Sequence, residues 1–179
     1  MILQTARLIL RELDLADLDF VAAMLAYPEV MRFWPRCYTR AEAEDWIARQ
    51  QARYARDGFG YWLVVEQATG QPIGQAGLLA PEVDNRAETA LGYILHRPFW
   101  SQGFATEAAV ACLDYAFTTL GLARVIAPIR PENAPSRAVA ARLGLRPGPA
   151  TFYAGFTHLI FAITQAEFYA TRSPHPANQ

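Results

Sequence analysis

A loop of small residues leads directly onto a long helix pattern in the second half of the chain. Residues 101–106 read Ser-Gln-Gly-Phe-Ala-Thr and follow an apolar, strand-like run. The first N–H groups of a helix have no partner inside it, and they attract anions together with the helix dipole. Gly103 lets a ligand approach the main chain, and Ala105 leaves room beside it. The spacing favours a phosphate site and an ordinary turn capped by Thr106 about equally.

A second junction of the same kind lies at residues 130–136. It places the amide of Asn133 and the hydroxyl of Ser136 before another helix pattern, and three arginines follow: Arg137, Arg142 and Arg146. In an α/β sheet both loops lie beyond the carboxyl ends of their strands, where ligands usually bind. Asn133 is also a favoured N-cap, and capping is compatible with ligand contact. The two junctions together predict a ligand site at one edge of the sheet.

The basic residues exclude two classes of chemistry. All 16 are arginine, and the chain of 179 residues contains no lysine. Pyridoxal enzymes need a lysine Schiff base and P-loop NTPases need a lysine in the phosphate loop, so both classes are excluded. The net charge of −1 argues against a dedicated nucleic-acid binder. Residues 1–90 carry nine arginines against 13 acidic residues and residues 91–179 seven against four, which favours the second half for a phosphorylated ligand.

The cysteines and the apolar stretches indicate a cytoplasmic protein. Cys37 and Cys112 have no His or Cys at metal-ligand spacing, which predicts reduced thiols and no metal site. The N-terminus lacks the pattern of a signal peptide. Residues 147–166 are long enough to span a bilayer, but two prolines and two glycines interrupt them. We therefore predict turns and strands there, and no membrane partner.

Hydrophobic periodicity predicts an α/β fold of one domain over residues 1–172. We expect strands over residues 5–12, 61–65, 73–79, 89–95, 123–129, 151–156 and 159–164. We expect helices between the Asp14 cap and Pro28, and over residues 39–56, 105–120 and 134–143. An antiparallel meander followed by strand–helix–strand–helix indicates a mixed sheet with helices on both faces. Residues 173–179 are predicted to be a mobile tail.

Taken in order, these motifs resemble the GNAT superfamily of acyl-CoA N-acyltransferases, and within it the RimJ/RimL-like branch. The resemblance covers nearly the whole chain through residues 5–11, 69–74, 91–93 and 100–108, and through 133–136 with 142–145. It implies an α+β fold whose mixed, mostly antiparallel sheet has about six or seven strands. It also implies that residues 27–38 shape the acceptor site, where Phe33 and Trp34 either wall an amine pocket or pack beneath it.

The resemblance implies acetyl-coenzyme A as the acyl donor and assigns residues to its parts. The pyrophosphate would lie on the N–H groups of Ser101, Gln102, Gly103, Phe104, Ala105 and Thr106. The pantetheine arm would contact Ile94, Leu95, His96, Asn133 and Ser136. An N–H group near Leu95 would polarise the thioester carbonyl, which is the oxyanion-stabilising role.

The candidate acid and base follow from two departures from the family pattern. Ala90 stands where the branch often carries a glutamate, and Ala140 where many members carry a proton-donating tyrosine. Glu88, two residues before Ala90, shares its strand face and is the predicted general base through water, or else a solvated carboxylate. Ser136 is the implied proton donor for the departing thiolate.

The leading hypothesis is therefore an acetyl-CoA-dependent N-acetyltransferase that works by direct attack in a ternary complex. Its acceptor is a primary amine, on a protein N-terminus or on a small molecule, and it acts as a monomer or homodimer. The alternative is a noncatalytic acyl-CoA-binding or sensing module. That module would keep the loop at residues 101–106 but lack acid and base, as Ala90 and Ala140 suggest.

Overall fold

Residues 1–172, which the computed structural model describes, form ten strands and five α-helices. The strands are β1 (Leu3–Gln4), β2 (Leu8–Arg11), β3 (Tyr61–Glu66), β4 (Pro72–Leu79), β5 (Glu82–Val83), β6 (Arg86–Ala87), β7 (Ala90–Leu95), β8 (Arg124–Ile129), β9 (Arg146–Tyr153) and β10 (Phe156–Thr164). The helices are α1 (Leu18–Leu25), α2 (Arg40–Asp57), α3 (Phe104–Thr118), α4 (Ala134–Leu143) and α5 (Gln165–Ala170). Eight strands make one sheet in the order β1-β2-β3-β4-β7-β8-β10-β9, and β5 and β6 form a separate hairpin.

The helix ends follow from local hydrogen bonds that the sequence predicts. At the start of α2, the Thr39 hydroxyl oxygen accepts from the Glu42 N–H at 3.3 Å, and the Glu42 carboxylate accepts from the Thr39 N–H at 2.8 Å. This reciprocal capping box confirms the predicted start. Helix α4 has the predicted bounds and ends at Gly144, whose φ of +87° is a conformation that glycine adopts without strain.

The two faces of the sheet carry separate apolar cores, as expected for helices on both faces. Helices α3, α4 and α5 cover one face, where the buried strand residues include Trp62, Val64, Leu91 and Leu95. Helices α1 and α2 cover the other, where the buried strand residues include Tyr61, Leu63 and Ile94. The alternation of side chains along β7 therefore directs Leu95 towards α3 and Ile94 towards α1 and α2.

Strands β7 and β8 form the one parallel pair of the main sheet within the described residues, and their pairing is short. It is limited to Ala90 opposite Ile126, where the Ile126 N–H donates to the Thr89 carbonyl oxygen at 2.9 Å. Beyond that pair the ladder stops, so residues 91–95 of β7 and residues 127–129 of β8 border a gap. We call this gap the wedge. It opens towards the carboxyl ends of both strands.

Some elements differ from the sequence predictions. The sheet has eight strands instead of six or seven, since β1 adds to one edge by pairing with β2. Strands β1, β5 and β6 have two residues each, which is too short for a periodic pattern. The predicted tail at residues 173–179 lies outside the described residues. Within residues 1–172, no helix is long and apolar enough to cross a membrane.

Helix α5 was missed, although the sequence carries its start signal. Thr164 and Glu167 form a capping box, with the Thr164 hydroxyl accepting from the Glu167 N–H at 3.3 Å. The helix buries Phe168, whose ring centroid lies 5.3 Å from that of Phe117 in α3. Six residues give less than two helical turns, so the hydrophobic period could not separate this helix from the strand before it.

We predict that Phe168→Ala lowers the free energy of unfolding by about 3–5 kcal/mol, because it leaves a cavity in the core. Phe168 is 1% exposed, whereas Phe152 in β9 is 77% exposed. Phe152→Ala is the matched control and should change the free energy of unfolding by less than about 0.5 kcal/mol. Urea unfolding of both variants measures the difference, and equal effects would contradict the assigned packing of α5.

Candidate active site

The loop between β7 and α3 presents a run of main-chain donors. Ser101 and Gly103 have φ values of +61° and +83°, so left-handed backbone conformations occur twice just before the helix. Backbone of this kind turns successive N–H groups towards one point, where an anion can bind. Gly103 is the N-cap and has no side chain to satisfy the first helical N–H groups. The helical ladder begins with the Glu107 N–H donating to the Gly103 carbonyl oxygen at 3.0 Å. In the described chain, no N–H of residues 101–106 has a protein acceptor.

Arg7 ties this loop to the start of the sheet. Its Nη1 donates to the Gln102 carbonyl oxygen at 3.1 Å, and its guanidinium lies 4.4 Å from the centroid of the Phe104 ring. The Glu107 carboxylate accepts from the Arg7 N–H at 2.9 Å, from Arg7 Nε at 2.7 Å and from the Thr5 hydroxyl at 2.6 Å. Partial burial alone would raise the pKa of Glu107, but these hydrogen bonds lower it below its usual value. A cation is therefore held beside the free donors.

The N–H of Leu95 points into the wedge. The His96 N–H donates to the Ile73 carbonyl oxygen at 2.9 Å, which makes these residues a hydrogen-bonded pair of β4 and β7. Such pairs alternate in an antiparallel ladder, so the polar groups of Leu95 face away from β4. The Leu95 carbonyl oxygen accepts from Trp100 Nε1 at 2.7 Å on that side. By the same alternation, the N–H of Tyr93 also faces the wedge.

The structure does not favour main-chain contacts from Ile94 and His96 to a pantetheine arm. The N–H of each faces β4 in the antiparallel ladder. The His96 ring lies edge-on to Phe20 and Tyr27, each with a centroid distance of 5.9 Å. Loss of solvent lowers the pKa of His96, so the neutral ring is favoured. Of the three strand residues that the resemblance implies, only Leu95 presents its N–H to the wedge.

The second junction lies across the wedge from Leu95. Asn133 caps α4, with its Oδ1 accepting from the Ser136 N–H at 3.1 Å, so the predicted capping role is confirmed. The Tyr93 hydroxyl reaches from β7 to within 3.5 Å of the Ser136 carbonyl oxygen, and burial raises its pKa. Sequence reasoning missed Tyr93, because nothing in the spacing relates residue 93 to the first turn of α4. The Tyr93 hydroxyl therefore lies on the α3 side of the wedge, next to the first turn of α4 that contains Ser136.

Glu88 lies outside the wedge. Its carboxylate forms an ion pair with Arg124 at the start of β8. It precedes Ala90, the residue at which β7 pairs with Ile126 of β8, whereas Leu95 lies at the other end of β7. The role of Glu88 as general base stays a prediction, and its carboxylate is already paired with Arg124.

The segment between α1 and α2 spans the mouth of the wedge. On the β7 side, the Glu29 carboxylate pairs with Arg97 Nε at 2.6 Å. On the β8 side, Arg130 Nη1 donates to the Phe33 carbonyl oxygen at 3.4 Å. The Trp34 ring packs against the buried Trp46 with a centroid distance of 5.5 Å. Trp34 thus packs against the core beneath α1 and α2, and the loop is anchored on both sides of the wedge.

These features fit acetyl-CoA on geometric grounds. Six free N–H groups and a nearby guanidinium suit a pyrophosphate, and the outward N–H of Leu95 suits a thioester carbonyl. The unpaired edges of β7 and β8 leave room for an extended arm between them. Fold and site define an α/β protein that holds a phosphorylated carrier at an open strand edge.

Comparisons with known proteins agree with this geometry. The family described as "Acetyltransferase (GNAT) domain" matches residues 7–146. The uncharacterized N-acetyltransferase p20 of Bacillus licheniformis is 34% identical over 137 residues, which are 75% of this chain and 76% of the relative. The FsC-acetyl coenzyme A-N(2)-transacetylase of Aspergillus fumigatus is 35% identical over 154 residues, 80% of this chain and 64% of the relative.

A solved structure extends the agreement to the fold. The crystal structure of an acetyltransferase from Agrobacterium tumefaciens has a TM-score of 0.79 and 31% sequence identity, covering 91% of this chain and 94% of that one. The chain belongs to the GNAT acetyltransferase family. It is an acetyltransferase, and its acyl donor is acetyl-CoA.

We predict that Gly103→Val weakens CoA binding at least tenfold, because valine is strained at a φ of +83° and distorts the donor loop. Gly70→Val is the matched control, since Gly70 has a φ of +70° in a hairpin turn and open space around it. Both variants should lose similar stability, but only Gly103→Val should lose CoA affinity in isothermal titration. Equal CoA affinities in the two variants would contradict the assigned pyrophosphate loop.

We predict that Glu88→Gln changes kcat/KM less than about threefold, because Glu88 is paired with Arg124 outside the wedge. Loss of a general base would cost about 10²–10⁴-fold. Arg124→Gln is the matched change of the partner residue. It should also change kcat/KM less than about threefold, since a partly exposed ion pair contributes little to stability. A hundredfold loss confined to Glu88→Gln would restore Glu88 as the base.

Proposed function

We propose that this protein transfers the acetyl group of acetyl-CoA to a primary amine by direct attack in a ternary complex. One observation carries the proposal: the free donors of residues 101–106 lie beside a wedge into which the Leu95 N–H points. The name of the Aspergillus fumigatus relative specifies transfer to a nitrogen, N(2), which supports a small-molecule amine. The motifs shared with the RimJ/RimL-like branch support a protein N-terminal amine as the other acceptor class.

Each group of residues around the wedge has a separate role in the proposed transfer. Bound acetyl-CoA supplies an activated acyl group and a good leaving group. Residues 101–106 hold its pyrophosphate, and Asn133 contacts its arm. The Leu95 N–H donates to the carbonyl oxygen as negative charge develops there. The Ser136 hydroxyl holds a proton for the departing sulfur, and the Tyr93 hydroxyl contacts the main chain of Ser136 at the same turn of α4.

Direct attack agrees with the state of the cysteine nearest the cofactor helix. Cys112 lies inside α3 and is fully buried, and burial raises the pKa of its thiol. A buried, protonated thiol is a poor nucleophile, so it cannot carry the acetyl group between two half-reactions. The proposed acceptor amine therefore attacks the thioester itself. Cys37 is an exposed free thiol, which suits the reducing cytoplasm, where we place the reaction.

The alternative is a noncatalytic acyl-CoA-binding or sensing module. Ala90 and Ala140 stand where related enzymes carry an acid or a base, and Glu88 is paired with Arg124. Such a module would use the same loop and the same wedge. It differs from the enzyme in one property, which is that bound acetyl-CoA is never turned over.

Release of free CoA thiol in the presence of amines tests the proposal. We expect thiol release above the amine-free rate with at least one member of a panel of N-terminal peptides and small primary amines. Mass spectrometry should then find the acetyl group on the amine. A protein that binds acetyl-CoA in isothermal titration yet releases no thiol with any amine would support the sensing module instead. Absence of acetyl-CoA binding would contradict both.

A further inference from the structure

The side chain of Tyr61 extends from β3 across β4 to β7, the strand that borders the wedge. Tyr61 begins β3 and lies in register with Gly77 of β4, which lies in register with Gly92 of β7. The Gly60 carbonyl oxygen lies where a Cβ on Gly77 would be, so the backbone just before Tyr61 passes close above β4. A Cβ on Gly92 would overlap the Tyr61 hydroxyl oxygen and lie 2.8 Å from Cζ. The hydroxyl oxygen is thus the Tyr61 atom nearest to Gly92, and it lies above β7, which borders the wedge.

The hydroxyl of Tyr61 makes no hydrogen bond with another described residue, although the rest of the side chain is buried. Tyr61 is 4% exposed, and its main chain is held by its N–H donating to Gln50 Oε1 at 3.1 Å and by its carbonyl accepting from Tyr54. Within residues 1–172, its phenolic oxygen makes no hydrogen bond that would satisfy it. The phenolic oxygen therefore keeps a free lone pair. A ligand group in the wedge would give it a hydrogen-bond partner.

Trp46 fixes the position of the phenol and connects it to the side-chain amide of Gln75. Its ring stacks on Tyr61 with a centroid distance of 5.8 Å and an interplanar angle of 21°. Trp46 Nε1 donates to Gln75 Oε1 at 2.9 Å, and Gln75 is 0% exposed. In the described chain, Gln75 Nε2 has no hydrogen-bond partner. A buried, unpaired donor therefore lies on the α1 and α2 side of the sheet, connected to Tyr61 through Trp46.

This side of the wedge is opposite to the cofactor loop. Gly92 shares its strand face with Ala90 and Ile94, and that face packs against α1 and α2, whereas α3 and α4 lie on the other side. Ala90 is the position that lacks the expected glutamate. The Tyr61 hydroxyl lies at Gly92, the next position after Ala90 on the same face of β7. This face is the side from which an acceptor can approach bound acetyl-CoA.

We propose that the Tyr61 hydroxyl oxygen binds the attacking amine, accepting a hydrogen bond from its N–H so that the nitrogen lone pair points into the wedge. The inference rests on the proposed amine acetylation. It adds an acceptor-side contact from β3, separate from the donor groups at Ser136 and Tyr93.

A phenol suits this task because the amine must be neutral to attack. Burial raises the pKa of Tyr61, so the hydroxyl stays uncharged at neutral pH. A carboxylate at Ala90 would favour the ammonium form of the amine, since an opposite charge stabilises it. An uncharged oxygen accepts the N–H without that bias. Gly92 is required because a Cβ there would overlap the phenol, and Gly77 is required because a Cβ there would overlap the Gly60 carbonyl that precedes Tyr61.

The test uses Tyr61→Phe, which keeps the ring and removes only the hydroxyl. We expect KM for the amine to rise about tenfold with a smaller change in kcat, since one neutral hydrogen bond is lost. The dissociation constant of CoA should not change in isothermal titration. Titration of the amine into the enzyme–CoA complex should show the same loss of affinity without turnover. Tyr115→Phe is the matched control, because Tyr115 packs on Trp62 at the opposite face.

Gly92→Ala gives an independent second variant, because its Cβ overlaps the Tyr61 hydroxyl oxygen and must displace it. It should raise KM for the amine as Tyr61→Phe does, and the double variant should add little further loss. An unchanged KM in Tyr61→Phe, or a loss of CoA affinity and stability instead, overturns this inference while leaving the proposed function intact. No transfer by the unaltered protein to any amine overturns both.

Discussion

The abrupt end of the β7–β8 ladder is the constraint on which the site depends. Two parallel strands joined at Ala90 and Ile126 alone leave the main-chain N–H groups of residues 93 and 95 in β7 without partners in the described chain. Strand edges buried in a sheet normally pair, and an edge left open inside a domain is a place for an extended ligand. Antiparallel pairing on both outer sides, through β4 and β10, holds the two strands apart at a defined separation.

The donor loop depends on this opening and on one cation. Residues 101–106 follow directly from the end of β7, so the free helix N–H groups lie at the mouth of the wedge. Arg7 and Glu107 bind that loop to the first strands of the sheet, from a distance of about one hundred residues in sequence. The loop therefore has a fixed shape before any ligand binds, and preorganised donors lose little freedom on binding.

The two faces of the wedge carry different chemistry. The α3 side offers the Tyr93 hydroxyl, which contacts the main chain of Ser136 at the first turn of α4. The α1 and α2 side offers an uncharged phenol, Tyr61, set within aromatic rings centred on Trp46. Glutamate at position 90 would have made that side anionic. Alanine at position 90 leaves it uncharged, and glycine at position 92 leaves the space that the phenol occupies.

The sequence by itself determined the local features: the capping box of α2, the bounds of α4, the small-residue loop before α3 and the lack of lysine. Each depends on neighbouring residues, whose periodicity and hydrogen bonds are readable along the chain. Only the tertiary structure decided that Glu88 is paired with Arg124, that Arg7 braces the loop and that Tyr61 reaches β7. Those contacts join residues far apart in sequence, and strand register, which spacing does not encode, brings them together.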